Sequence, residues 1–342
     1  MPKVVILGGT GSIGRAVARR LLAAGWETAV AARGCSGRPA DLLREGARFH
    51  ALDRFDEAAL GGLLAPGADL LVDCLCFTAD HAASLLPHLD GFAATVMLSS
   101  KAVYVDAAGN HVNSPVKPRF SGPVTEEQPT VAPGGGDYDS AEGYGANKVA
   151  AERTLLDSGH PVTVVRASKV HGEGASPPRE WVFAKRALDR RRALFLRRGG
   201  ASVDHTTAAA NLAALVQRAA EVPGRRILNS ADPDAPNVLE IAQTVAAHFG
   251  HAWRIHPAEE DSGLGRTPWD TDAPIVLDTS AAGRLGYEPV GRYAETVREE
   301  LDWLARTAQS APETIADAAF TARYLDYRAE DAALAAAVRP RG

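Results

Sequence analysis

The chain has 342 residues, 46% hydrophobic and 23% charged, which suits one large α/β domain or two joined ones and excludes global disorder. A net charge of −5 at pH 7 excludes a global basic field for nucleic acid, and no apolar run reaches the roughly 18 residues of a membrane span. Three cysteines, Cys35, Cys74 and Cys76, fit a reducing cytoplasm and exclude a disulfide framework.

Residues 4–7 form a short, continuous apolar run, as expected of a parallel strand buried on both faces and not of a leader segment. Ile13, Val17, Leu21 and Ala24 recur at helical spacing, and Gly25 stops that helix. Strands are predicted over 28–32, 48–52, 69–76, 94–99 and 161–166, with a helix over 144–156. This alternation predicts a doubly wound parallel α/β sheet. Residues 105–143 and 167–204 interrupt it; the first is rich in Pro, Gly, Asp and Ser and reads as a functional lid or a partly disordered loop. Helices are expected over 238–249 and 294–305, and an Ala-rich amphipathic tail over 313–337. There is no internal repeat of 20–50 residues.

Gly8-Gly9-Thr10-Gly11-Ser12-Ile13-Gly14 joins the first strand to the first helix with the spacing G-x-x-G-x-x-G. Such a turn lets backbone approach a diphosphate, and the helix N-terminus presents unpaired N–H groups. Gly8, Thr10, Gly11, Ser12, Ile13 and Gly14 are therefore expected to cradle a dinucleotide. At the end of the second strand, Ala32 stands where a carboxylate would hold the ribose of NAD(H), and Arg33 follows. A guanidinium there suits a 2′-phosphate, so NADP(H) is preferred over NAD(H), with Arg15 and Arg38 as further charge. Asp53, after the third strand, is a candidate partner of the adenine.

Tyr144 and Lys148 form Y-x-x-x-K, one helical turn apart on one face. An ammonium beside a phenol favours the phenolate, so Tyr144 can exchange a proton. Lys148 can also hold the nicotinamide ribose. Ser100 ends the fifth strand, at the sheet edge where such crevices form. Ser99-Ser100-Lys101-Ala102-Val103-Tyr104 completes a pattern that, with the Gly cradle and Y-x-x-x-K, resembles the extended short-chain dehydrogenase/reductases, the NAD(P)-dependent epimerase/dehydratase-like family. Val165-Arg166, Val170-His171-Gly172, Asn229, Asp278-Thr279-Ser280, Leu285-Gly286-Tyr287 and Trp303 extend the likeness over about residues 3–305.

The resemblance implies a Rossmann sheet with a smaller C-terminal substrate lobe. It assigns residues 1–166, with 204–230 returning, to cofactor; 167–203 and 231–310 to substrate; and 311–342 to a helical tail. It implies Ser100, Tyr144 and Lys148 as the catalytic set. Lys101 and Ala102 stand where sugar dehydratases carry an acidic pair, so 4,6-dehydration is not expected. Lys169 and Ala167 replace the Asn and Pro of nucleotide-sugar members. NADPH-dependent reduction of a small-molecule carbonyl is the preferred reading. An NAD-dependent sugar or nucleotide-sugar epimerase and a non-catalytic NAD(P)- or RNA-binding protein are the alternatives. Lys101, Tyr104, Lys169, His171 and Trp181 are candidate substrate residues. No metal, membrane or nucleic-acid partner is expected, and the family resemblance allows a homodimer. Cys74 and Cys76 read as buried small hydrophobes. Residues 179–198 carry eight Lys or Arg against Glu180 and Asp189, read as a solvated face in preference to a wall for an anionic substrate.

Overall fold

The computed structural model describes residues 1–35 and 38–338, the side chains of 337 and 338 excepted. The chain starts with β1 (Lys3–Leu7), α1 (Ser12–Ala23), β2 (Glu27–Ala32), α2 (Ala40–Arg44), β3 (Arg48–Ala51) and α3 (Glu57–Leu64). β4 (Ala68–Asp73), α4 (Ala79–Ala83), β5 (Phe92–Ser100), α5 (Gly143–Leu156) and β6 (Val162–Ala167) follow. The chain then passes through β7 (Lys169–His171), α6 (Trp181–Leu188), β8 (Ala193–Arg197) and β9 (Thr206–Ala208) before α7 (Ala209–Glu221) and β10 (Arg226–Ser230).

Seven strands pair in the order β3-β2-β1-β4-β5-β6-β10, every pair parallel. Alternation along β1 explains the unbroken apolar run. Val4 and Ile6 pack with Val17, Leu21, Leu212 and Leu215 on one face, beneath α1 and α7. Val5 and Leu7 pack with Leu60, Leu71, Leu155 and Val164 on the other, beneath α3 and α5. Both faces are covered, so every position of the strand wants an apolar side chain. The strand order reverses between β1 and β4, which opens a crevice at their carboxyl ends.

Three expectations need correction. β4 ends at Asp73 and not at Cys76, because the Asp73 carboxylate accepts the N–H of Leu75 (2.7 Å) and turns the chain out of the sheet. Cys74 and Cys76 thus follow the strand, and burial pushes both thiols up to about 12. Residues 105–142 hold no helix or strand but are packed. Asp106 accepts backbone N–H groups from Ala108, Asn110 and Arg119, and Phe120, Val124 and Val131 pack against Val103, Tyr104 and Val149. The tail is not one amphipathic helix. It breaks into α12 (Ala318–Tyr324), capped by Asp317, and α13 (Tyr327–Val338). Residues 339–342 of the expected tail lie outside the described residues.

The second lobe adds α8 (Val238–His248), β11 (Arg254–Ala258), α10 (Tyr293–Thr296) and α11 (Arg298–Ser310), whereas α9 (Ser280–Arg284) returns to the sheet, with Ala282 in the core shared with α1 and α7. β8 pairs with β11, and β7 with β9. Trp181, Phe183, Val245, Trp269, Tyr293 and Leu301 form its core, onto which Ile315, Phe320 and Tyr324 of the tail pack. Much of the basic stretch is neutralised internally. Arg186 pairs with Glu330 of α13, Arg191 with Asp331, Lys185 with Asp189, and Arg198 with Glu260 and Asp272. Among the described residues, no helix is long and apolar enough to cross a membrane.

Candidate active site

The Gly-rich turn separates what the fold needs from what a ligand needs. Gly8 has φ +83°, and a Cβ at Gly14 would lie 2.3 Å from the Gly8 carbonyl oxygen. A Cβ at Gly9 would lie 2.5 Å from Val30. These three glycines are required by the turn's own packing. At Gly11 an added Cβ would meet nothing nearer than 3.6 Å, so the chain itself does not demand glycine there. Gly11 is the N-cap of α1 and gives no side-chain cap. The first N–H groups of α1 therefore stay open. The Ser12 hydroxyl is buried with no hydrogen-bond partner among the described residues. Open amides, an unpartnered hydroxyl and a bare Gly11 fit the diphosphate of a dinucleotide. Ile13 packs on the α1 side of the sheet core.

Beside the turn lies a cavity of about 350 Å³, lined by Gly8, Thr10, Gly11, Ala32, Arg33, Asp53, Arg54, Phe77, His81 and Tyr138 among others. Arg33 is exposed and forms no ion pair or hydrogen bond among the described residues. Arg54 is committed, with Nη1 2.7 Å from Asp73 and Nη2 2.8 Å from the His81 carbonyl. Arg15 is paired with Asp41, so the expectation that it adds charge for a 2′-phosphate is corrected. Asp53 accepts the N–H of Phe55 (3.1 Å), which shapes the turn at the cavity wall. Tyr138 stacks on Phe77 with ring centroids 5.3 Å apart, and His81 meets Tyr138 edge-on at 5.8 Å. The sequence reading missed these three aromatic groups, which no motif announces.

Ser100 ends β5, and its hydroxyl accepts the N–H of Ala102 (3.1 Å). Tyr144 lies in the first turn of α5, with Ser100 beside its phenol. Gly145 makes that approach possible, since a Cβ there would lie 2.9 Å from the Ala102 carbonyl oxygen. Lys148, one turn on, donates to the carbonyls of Cys76 (2.7 Å) and Leu98 (2.8 Å), with its Nζ 4.3 Å from the centre of the Phe77 ring. Burial holds the Tyr144 phenol above its ordinary value, against the Ser100 hydrogen bond and the Arg179 charge, which pull it down. The sheet carbonyls hold the Lys148 ammonium one helical turn beyond Tyr144. Burial in turn lowers Lys148.

Of the five candidate substrate residues, four are placed inside the protein. Lys101 is buried, pairs with Asp204 and reaches Ser168 Oγ at 3.0 Å; burial draws it down to about 8. Tyr104 is 1% exposed and donates its hydroxyl to Asn229 (2.6 Å). Trp181 belongs to the second-lobe core. His171 is 1% exposed, its Nε2 2.9 Å from Asp232. Each residue sits next to the site in sequence, but its neighbours are core or charge partners. Lys169 lines a second cavity, and its Nζ lies 3.1 Å from Asp204. That cavity, also about 350 Å³, carries Lys117, Lys169, Arg197, Arg266 and Arg323 against Asp204 and Asp270. Asp204, which lines this cavity, pairs with Lys101, the residue that follows Ser100, so the cavity lies near the end of β5.

Residues 4–225 match the family model described as the NAD dependent epimerase/dehydratase family. A 2′-dehydrokanamycin reductase from Streptomyces kanamyceticus is 35% identical over 178 residues. That match covers 51% of this chain and 44% of the relative, so the chain spans less than half the length of that curated protein. Among solved structures, the UDP-glucose 4-epimerase of Thermotoga maritima with UDP-glucose superposes with TM-score 0.68 at 17% identity, covering 89% of this chain and 99% of that one. The dTDP-glucose 4,6-dehydratase of Bacillus anthracis in complex with NAD gives TM-score 0.68 at 13% identity, covering 91% and 98%. At these identities the structural likeness shows the fold, a parallel Rossmann sheet with a smaller C-terminal lobe. The chain belongs to the NAD dependent epimerase/dehydratase family, within the extended short-chain dehydrogenase/reductases.

Proposed function

We propose that the protein is an NADPH-dependent reductase of a small-molecule carbonyl, with Ser100, Tyr144 and Lys148 as its working set. The observation that carries the reading is the placement of Tyr144 in the first turn of α5, its phenol held above its ordinary value by burial, beside Ser100 at the end of β5. A phenol that keeps its proton is a donor, which is what reduction asks of it. When bound, the reduced nicotinamide supplies the hydride. Tyr144 gives its proton to the carbonyl oxygen. Ser100, whose oxygen already accepts from Ala102, has its own O–H left to orient that oxygen. Lys148 uses two of its three N–H donors on Cys76 and Leu98 and keeps one for the ribose. Gly8, Thr10, Gly11, Ser12, Ile13 and Gly14 cradle the diphosphate, and Asp53 borders the adenine end. The unpaired Arg33 meets the 2′-phosphate. The reductase name of the Streptomyces kanamyceticus relative supports the same direction of reaction.

The cationic cavity beside this edge favours a substrate that carries an anionic group. Five Lys or Arg against two carboxylates leave a net positive wall, with Arg266 and Arg323 in no ion pair among the described residues. The test is a screen of ketones and aldehydes with NADPH, in matched pairs with and without a carboxylate or phosphate. The anionic member of a pair is expected to show kcat/KM about 10-fold higher or more, with the advantage shrinking at high salt. Equal turnover of both members would remove the anionic preference while leaving the reductase reading in place. No turnover of any carbonyl would remove the reductase reading itself.

A further inference from the structure

A buried cluster outside both cavities holds two carboxyl groups that no Lys or Arg meets among the described residues. His171 ends β7, Glu180 precedes α6, and Glu300 lies on α11. They are 1%, 1% and 0% exposed, and each offers a ligand-capable atom within 4.8 Å of the others. Neither glutamate forms an ion pair with Lys or Arg among the described residues; Arg179, the nearest cation in sequence, donates to the Val170 carbonyl (3.0 Å). Isolated buried carboxylates are costly unless a cation meets them.

Each member is held from behind. Asp232 lies 2.9 Å from His171 Nε2, and Asp232 is itself fixed by Thr206, the Ala208 N–H and Asn211. Glu300 Oε2 accepts the Gly172 N–H (2.6 Å), and the Tyr293 hydroxyl lies 3.4 Å from Glu180 Oε1. What remains is one atom on each: His171 Nδ1, Glu180 Oε2 and Glu300 Oε1 are buried without a hydrogen-bond partner among the described residues. A carboxylate on Nε2 sets the tautomer that leaves Nδ1 as a lone pair, the arrangement found behind metal-bound imidazoles.

We propose that His171, Glu180 and Glu300 bind one divalent first-row metal ion, with Asp232 orienting the imidazole. Two carboxylates and an imidazole suit Zn²⁺ or Mn²⁺. His171 also lines a cavity of about 190 Å³ with Ser12, Gly172 and Glu299, which gives the ion an entry path and room for a water ligand. The ion is a clip: it joins α6 and α11 to the strand end beside Gly172. A Cβ at Gly172 would lie 3.2 Å from the Ser12 hydroxyl, so the clip holds the second lobe against the dinucleotide cradle. The three ligands come from separate segments, which is why no short spacing announces them, and the sequence expectation of no metal is replaced by this assignment.

The test uses the full untagged chain, dialysed against Zn²⁺ or Mn²⁺ and assayed for bound metal and thermal unfolding. The expected result is about one ion per chain, a Tm raised by the metal and lowered by chelator, and binding at least about 10-fold weaker in Glu300→Gln and His171→Ala. Exposed Glu313→Gln should bind as wild type does. If the cluster variants fail to fold, anomalous scattering from wild-type crystals places the ion. Fewer than about 0.1 ion per chain with unfolding indifferent to metal, undiminished binding in Glu300→Gln, or an ion located elsewhere would each overturn the assignment.

Discussion

Tyr144→Phe is expected to lower kcat for carbonyl reduction by about 10²- to 10⁴-fold while NADPH affinity changes by no more than about twofold. The ring stays, so packing at the start of α5 stays; what goes is the one proton aimed at the substrate oxygen. Ser100 cannot replace it, because a serine hydroxyl is a far weaker acid than a phenol. The pH profile carries the same sign. Reduction needs the protonated phenol, which burial holds above its ordinary value, so the rate should be level through neutral pH and fall only on the alkaline side. Single-turnover kinetics with preloaded NADPH check both points. A near-normal kcat in Tyr144→Phe would remove this residue from the chemistry.

Asp204→Ala is expected to destabilise the protein by about 3–5 kcal/mol at neutral pH, read from urea unfolding. Asp204 is the carboxylate between Lys101 and Lys169, and Lys101 is 5% exposed. Removing the carboxylate leaves a buried ammonium facing a second one. The loss is largest while Lys101 is protonated. In the wild type, burial draws Lys101 down to about 8, so the folded state gives up this proton before the unfolded chain does. Stability tied to this residue therefore rises with pH above about 8; loss of Asp204 lowers Lys101 further, so the deficit of the variant should shrink as pH approaches about 8 and level off above it. Lys101→Met with Asp204→Leu should recover most of the loss, because the pair is removed whole. A loss below about 1 kcal/mol in Asp204→Ala would mean water reaches this ammonium through the adjoining cavity.

The parts of this molecule that a reader of the sequence could see are those governed by neighbours along the chain. The continuous apolar β1, the Gly8–Gly14 turn and the one-turn spacing of Tyr144 and Lys148 all follow from local geometry. What stayed hidden depends on residues far apart. Lys101 resembles a substrate residue until Asp204 is placed against it, and the run of arginines resembles a solvated face until Arg186 meets Glu330. Gly145 is legible only once the Ala102 carbonyl is known to face it. The stack of Tyr138 on Phe77 joins the end of a long polar loop to a turn after β4, and no periodicity connects them. The end of β4 at Asp73 is a local event, yet it turns on a side chain accepting a backbone N–H two residues ahead, which apolar patterning does not register.

Binding of exchangeable NADPH through Arg33 is what makes this site a reductase site and not that of an enzyme that recycles its cofactor. The direct test is calorimetric titration of the wild type and Arg33→Ala with NADPH and with NADH, after release of any carried cofactor is checked. A guanidinium–phosphate contact supplies roughly 1.5–3 kcal/mol, so the wild type should bind NADPH about 10- to 100-fold more tightly than NADH, and Arg33→Ala should lose that preference without losing NADH. Tightly retained NAD, or equal affinities that Arg33→Ala leaves equal, would contradict the account and turn it toward an epimerase that recycles its cofactor.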